Sequence, residues 1–159
     1  MTERFPGSVE FPAGTRTASD AAAAIGCDVG QIVKSLVFRA GEGGPAVLVL
    51  CSGANTVDAA RLRLVKADAE FVRGASGFVI GGVPPWGWAT PPARTLIDVD
   101  LLGYAEIWAA AGTPRSVFPL TPSELLARTG GESVVVSGSR QRRGAISSST
   151  AGRPEEPSA

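Results

Sequence analysis

Apolar and polar positions along the chain fall into short blocks, most of them of strand length. QIVKSLVFRA at 31–40 is dense in β-branched and aromatic residues and predicts a strand over 32–39. GEGG at 41–44 reads as a turn, and PAVLVLC at 45–51 is a continuous apolar run. Together they predict a hairpin whose second strand is buried on both faces. Upstream, Thr17 precedes the Ala-rich SDAAAAIG, which predicts a short helix over 18–25. Asp20 makes a loose capping box with Thr17, and Gly26 is a natural stop. Within 57–73, Val57, Leu62, Val65 and Ala69 roughly follow the helical period with Arg61, Arg63 and Lys66 outward, which predicts a helix.

The stretch 74–92 has five Gly and four Pro in nineteen residues, so it reads as a loop system with at most a short strand at 78–80. TLIDVDLL at 95–102 predicts a strand and then a turn or short helix, and 106–112 and 116–120 predict short strands. Thr121-Pro122-Ser123-Glu124 is a capping box with Pro at the first helical position, opening a helix that ends near Gly130. SVVV at 133–136 predicts a last strand. Strands and helices mix without strict βαβ alternation. The expected fold is mixed α/β, a curved mixed sheet or partly closed barrel flanked by short helices, rather than a doubly wound parallel sheet.

A chain of 159 residues with 44% hydrophobic content fits one globular domain. The last segment changes that picture locally: from Ser137 onward it is rich in Ser, Gly and Pro, and 139–159 is expected to be a disordered tail behind a domain at 1–138. Fifteen basic and fifteen acidic residues cancel, which argues against a DNA-coating or membrane-surface protein. No run looks like a signal peptide or approaches the ~18 apolar residues of a membrane helix. Cys27 and Cys51 sit in no CxxC pair, and a cytoplasmic protein with reduced thiols is expected.

The absence of histidine is more restrictive. It excludes Ser-His-Asp and Cys-His catalysis and His-ligated zinc within this chain. Cys51, inside an apolar strand and with no histidine to activate it, is a poor candidate nucleophile. Thirteen of the fifteen cations are Arg, so Lys34 in the middle of a predicted strand stands out. It is either a solvated strand lysine or a compact three-donor charge in a cavity, facing a phosphate or an ester carbonyl. Gly81 and Gly82 allow a backbone to approach a ligand, or make a tight corner, and Pro84 and Pro85 stiffen the residues after them. Trp86 and Trp88 could stack on a base or pack on the core. Asp98 and Asp100 would share a strand face, or act as caps. Arg140, Arg142 and Arg143 could meet phosphates or remain solvated.

These features together resemble the YbaK/prolyl-tRNA-editing family of trans-acting aminoacyl-tRNA deacylases. Five ordered blocks carry the resemblance: TRTASDAAAAIGC (15–27), QIVKSLVF (31–38), VLVLCSGANTVD (47–58), SGFVIGGVPPWG (76–87) and TLIDVDLL (95–102). It implies a mixed α/β editing domain that hydrolyses the ester of a mischarged tRNA, typically a tRNA for proline, with no cofactor. The expected partners are the acceptor end of aminoacyl-tRNA and an aminoacyl-tRNA synthetase. Lys34 matches the family's diagnostic lysine, and Gly81 and Gly82 match the paired glycines around the aminoacyl ester. Ser35, Val83 and Pro84 flank those positions and join the expected substrate-binding set, as do Trp86, Trp88, Asp98 and Gly112.

The chain departs from the pattern in places. Trp88 stands where many relatives carry histidine, Ser76 where many carry threonine, and Ala110-Ala111-Gly112 where the cysteine-clearing branch has Ser-Gly-Gly. The alternative readings are a non-catalytic module that binds an amino acid or aminoacyl-adenosine, and a protein-docking module.

Overall fold

The structure, a computed structural model, describes residues 5–11 and 17–137. The expected tail at 139–159, with Arg140, Arg142 and Arg143, lies outside the described residues.

The central unit is the expected hairpin. Strands β2 (Val33–Arg39) and β3 (Ala46–Ser52) pair antiparallel from Val33 opposite Ser52 to Arg39 opposite Ala46. β3 is buried on both faces by apolar layers, and its other edge is paired with β5 (Arg94–Asp98), which runs parallel to it, as β8 (Glu132–Val134) runs parallel to β5. A two-residue strand, β4 (Val65–Lys66), joins the outer edge of β2 to give the order β4-β2-β3-β5-β8. A second, antiparallel sheet has the order β1-β7-β6, built from Val9–Glu10, Ser116–Leu120 and Ile107–Ala110. The sheets meet where Ile32 bridges Trp108. The fold is mixed α/β, and among the described residues neither sheet closes into a barrel.

Alternation along β3 divides the core. Leu48 and Leu50 point to a cluster with Ile97, Leu101, Ile107, Phe118 and Leu125. Val47, Val49 and Cys51 point the other way, to Leu64, Leu96 and Val136. Period-two patterning thus lets one strand serve two apolar layers.

Helix α1 (Ala18–Ile25) begins with the capping box Thr17–Asp20 and ends at Gly26, whose φ of 89° is the left-handed stop. Helix α3 (Pro122–Thr129) has its box at Thr121 and Glu124, with Pro at the start. The helix expected across 57–73 is shorter and later: α2 covers Ala69–Ser76. Asp68 caps it by accepting from the Phe71 N–H at 2.8 Å. Ahead of that cap, Arg63 at φ 61° breaks the helical path, and Lys66 and Val65 pair with Phe38 and Arg39. Burying Leu64 and Ala67 under the β2 edge outweighs local helix propensity. The stretch 78–80 is turn rather than strand, and the last strand begins at Glu132, one residue ahead of the expected 133–136.

Candidate active site

β2 is paired fully on one side only. Gly53 N–H donates to the Ile32 carbonyl at 2.7 Å and Ala40 N–H to the Pro45 carbonyl at 3.0 Å. In an antiparallel ladder with this register, the even-numbered residues of β2 therefore exchange bonds with β3. Val33, Ser35 and Val37 turn their peptide groups outward. Between the Ile32–Trp108 bridge and the Phe38–Lys66 pair, no described strand covers that edge. A cavity of about 320 Å³ opens there, bounded by the start of α1, by Ile80 and Gly81, and by Pro114, Ser116 and Val117. A smaller one of about 200 Å³ adjoins it and shares Ser35, Leu36 and Ile80.

Lys34, Ser35 and Gly81 all line the larger cavity. Lys34 is half-buried, and its Nζ donates to the backbone carbonyl of Asn55 at 2.6 Å. One of its three donors is thus fixed, and among the described residues it meets no carboxylate within ion-pair distance. Ser35 Oγ is buried with no hydrogen-bond partner among the described residues. Gly81 is exposed and has φ 91°, a conformation that favours glycine.

Gly82 does a different job. Its N–H donates to the Val79 carbonyl at 2.9 Å. A side chain there would put Cβ 2.7 Å from the Thr113 backbone carbon and 2.8 Å from the Pro114 nitrogen. Its missing side chain lets the 79–82 turn close against the β6–β7 connection, which forms the cavity wall.

The other expected binding residues lie apart from the larger cavity. Val83 is buried and lines the smaller one, while Pro84 is buried among the loop residues. The Pro84 carbonyl accepts from Trp88 Nε1 at 3.0 Å, and Trp88 is buried in the core. Trp86 packs on Phe5 and edge-on to Phe118, with the Arg128 guanidinium 4.5 Å from its ring centroid. Gly112, at φ 109°, turns the β6–β7 connection beside Phe78.

Asp98 is almost fully buried and does not line the cavity. Its Oδ2 accepts from the Ser52 N–H at 2.9 Å and from Asn55 Nδ2 at 2.8 Å, and its Oδ1 accepts from the Asp100 N–H at 3.0 Å. Asn55 Nδ2 also donates to Asp100 at 2.8 Å. Asn55 thus joins Asp98 to Lys34. In the sequence it shows only as a polar residue in the turn SGAN, and nothing in its spacing marks that link.

Cys51, opposite Lys34 on β3, has its thiol pushed up to about 12, chiefly by burial; Lys34 pulls against this and Asp98 adds to it. Such a thiol stays protonated and is a poor nucleophile. Among the described residues no cluster of three or more His, Cys, Asp or Glu side chains could hold a metal ion.

The comparisons with known proteins agree with this architecture. The model of the aminoacyl-tRNA editing domain matches residues 12–127. The uncharacterized protein YwhH of Bacillus subtilis (strain 168) is 35% identical over 122 residues, covering 73% of this chain and 76% of YwhH. A solved structure, described as a proposed trans-editing enzyme for prolyl-tRNA synthetase, is 54% identical with a TM-score of 0.75, covering 82% of this chain and 85% of its own. The solved hypothetical protein APE2540 is 28% identical with a TM-score of 0.69, over 81% of this chain and 89% of its own. With that match across most of its length, the chain belongs to the aminoacyl-tRNA editing domain family.

Proposed function

We propose that this chain is a cytoplasmic, trans-acting deacylase that hydrolyses the ester of a mischarged tRNA, with the proline tRNA as the expected carrier. The observation that carries the reading is the meeting of Lys34, Ser35 and Gly81 at one cavity in an editing-domain chain. The 54% identical solved relative, described in the context of prolyl-tRNA synthetase, supports the choice of tRNA. At about 320 Å³ the cavity is near the lower end of small-ligand pockets, which run roughly 300–1,000 Å³. It suits the aminoacyl-ribose end of a tRNA, with the acceptor stem outside.

An aminoacyl ester is already activated, so the site needs no strong base. The chain has no histidine, and burial keeps Cys51 protonated. Water, or a group of the substrate itself, attacks the ester carbonyl. With water, the acyl C–O bond to the ribose breaks, one proton of the water passes to the ribose oxygen, and the other is released to solvent as the amino acid leaves as its carboxylate. Lys34 has two N–H donors beyond the one given to Asn55, and these hold the ester oxygen or the terminal phosphate. Backbone N–H groups at Gly81 and on the outward edge at Ser35 are the donors for the developing oxyanion. One such donor contributes roughly 3 kcal/mol to the transition state.

The test is deacylation of a panel of mischarged tRNAs by the wild-type protein and by Lys34→Ala. Turnover of at least one member, lost in the variant at unchanged Tm, is expected. Near-wild-type turnover by Lys34→Ala sinks the assignment. Binding of aminoacyl-tRNA without any turnover points instead to the non-catalytic module.

A further inference from the structure

We infer that Asp98 and Asn55 are positioning residues, forming a clamp that fixes the Lys34 ammonium at the cavity. The inference rests on the deacylase reading for its catalytic consequence and on geometry alone for the clamp itself. A lysine side chain has four rotatable bonds, and among the described residues a single hydrogen bond, from Nζ to the Asn55 carbonyl, holds this one. Where the ammonium sits therefore depends on where that carbonyl sits.

The carbonyl belongs to the turn 52–55, and the turn is tied down from several directions. Asn55 N–H donates back to the Ser52 carbonyl at 2.9 Å, and Ser52 Oγ donates to the Gly30 carbonyl at 2.8 Å. The Asn55 carboxamide reaches both Asp98 and Asp100, each at 2.8 Å. Gly53 packs with no room for a side chain, its Cβ position 3.0 Å from Ala18 Cβ and closer still to the Val29 carbonyl.

Asp98 is the unusual member. A buried carboxylate is costly unless its oxygens are satisfied, and here three N–H donors from the turn and from Asp100 satisfy them. No cation lies within ion-pair distance of it among the described residues. Lys34 is joined to it through Asn55, whose carbonyl also accepts from the Cys51 thiol at 3.5 Å. The chain of contacts runs carboxylate, carboxamide, backbone carbonyl, ammonium. Neither Asp98 nor Asn55 lines the cavity, so both act through Lys34 rather than on substrate.

The composition supplies a clean readout, because Lys34 and Lys66 are the only lysines in the chain. Protein labelled with 13C and 15N on lysine gives two side-chain signals by NMR, and Lys34→Ala identifies its own by removing it. Lys66 is exposed and serves as the internal reference. In Asn55→Ala and in Asp98→Asn, the Lys34 signal is expected to shift or broaden while the Lys66 signal stays. In deacylation, kcat is expected to fall about tenfold to a hundredfold with KM little changed, as for a displaced catalytic group.

A Lys34 signal unmoved in folded Asn55→Ala overturns the clamp, whatever the activity does. Unchanged kcat alongside a moved signal overturns its catalytic role. Should Asp98→Asn fail to fold, Asn55→Ala still allows both measurements. If the wild-type protein deacylates nothing on the panel, the deacylase reading falls, and the NMR comparison decides the clamp separately.

Discussion

Gly82 donates its N–H to the carbonyl of Val79 at 2.9 Å, which removes that amide from the cavity. The paired glycines are therefore not equivalent. Gly81 faces the cavity in a left-handed conformation, and Gly82 lets two loops pack backbone against backbone. Substitution should separate the two roles. Gly82→Ala places Cβ against backbone atoms that cannot rotate away and should cost about 1–3 kcal/mol, seen as a lower Tm. Gly81→Ala has space around it, with Pro114 Cβ 3.6 Å from the new atom, so it carries mainly the conformational strain of about 1–2 kcal/mol. Of the two, it should depress deacylation more strongly per unit of lost stability. Equal Tm losses and equal activity losses in the two variants would contradict this division.

The two tryptophans of the loop give opposite expectations for one substitution. Trp88 Nε1 donates to the Pro84 carbonyl, so Trp88→Phe abandons a buried acceptor and should cost about 1–3 kcal/mol by thermal or urea unfolding. Trp86 Nε1 is buried with no hydrogen-bond partner among the described residues. Trp86→Phe removes that unsatisfied group and keeps a ring near Phe5, Phe118 and Arg128, so it should be close to neutral. Neither ring lines the larger cavity, and RNA affinity should be unchanged in both. A selective loss of acceptor-end binding in Trp86→Phe would restore a stacking role.

How much of the molecule is legible in the sequence depends on the range of the forces involved. The hairpin, α1, α3 and the strand at 94–98 are set by local patterning and caps, and Thr17, Thr121 and Gly26 announce them. The stretch 57–73 misleads because its helical period is real, while Leu64 and Ala67 are claimed by the β2 edge. Lys34 is conspicuous as a lysine among β-formers. Asn55 is not, because its role arises only when the turn 52–55 lands beside Asp98, 43 residues further on. Gly82 reads as a donor to ligand because a free amide and a committed one share the same letter.

Charge balance sets the salt response of RNA binding. Net charge is zero over the whole sequence, and Lys34 is the only cation lining the cavity among the described residues. Contact with about two or three phosphates of a single-stranded end gives a slope of log K against log salt of roughly −2 or shallower. Filter binding or fluorescence anisotropy from about 50 to 300 mM salt, the range over which such slopes are read, measures it. A slope several times steeper would place the main contact at an arginine cluster outside the cavity.

Stability should fall on the alkaline side because of Cys51. Its pKa in the fold is about 12, against 9.0 for an unperturbed thiol. A group whose pKa is raised by folding adds stability below its unfolded value, and that stability is lost as pH rises toward the folded value. Above pH ~9 the unfolded chain releases the thiol proton while the native chain keeps it, so unfolding free energy drops by up to about 1.4 kcal/mol per pH unit. Other groups of the chain also titrate in alkali, so the test is a difference. Cys51→Ala loses some packing at every pH, and its unfolding free energy should decline less steeply than that of the wild type between about pH 9 and 11. Parallel curves would mean that the thiol ionises in the native state as easily as in the unfolded one, and that water reaches the layer between Val49 and Leu96.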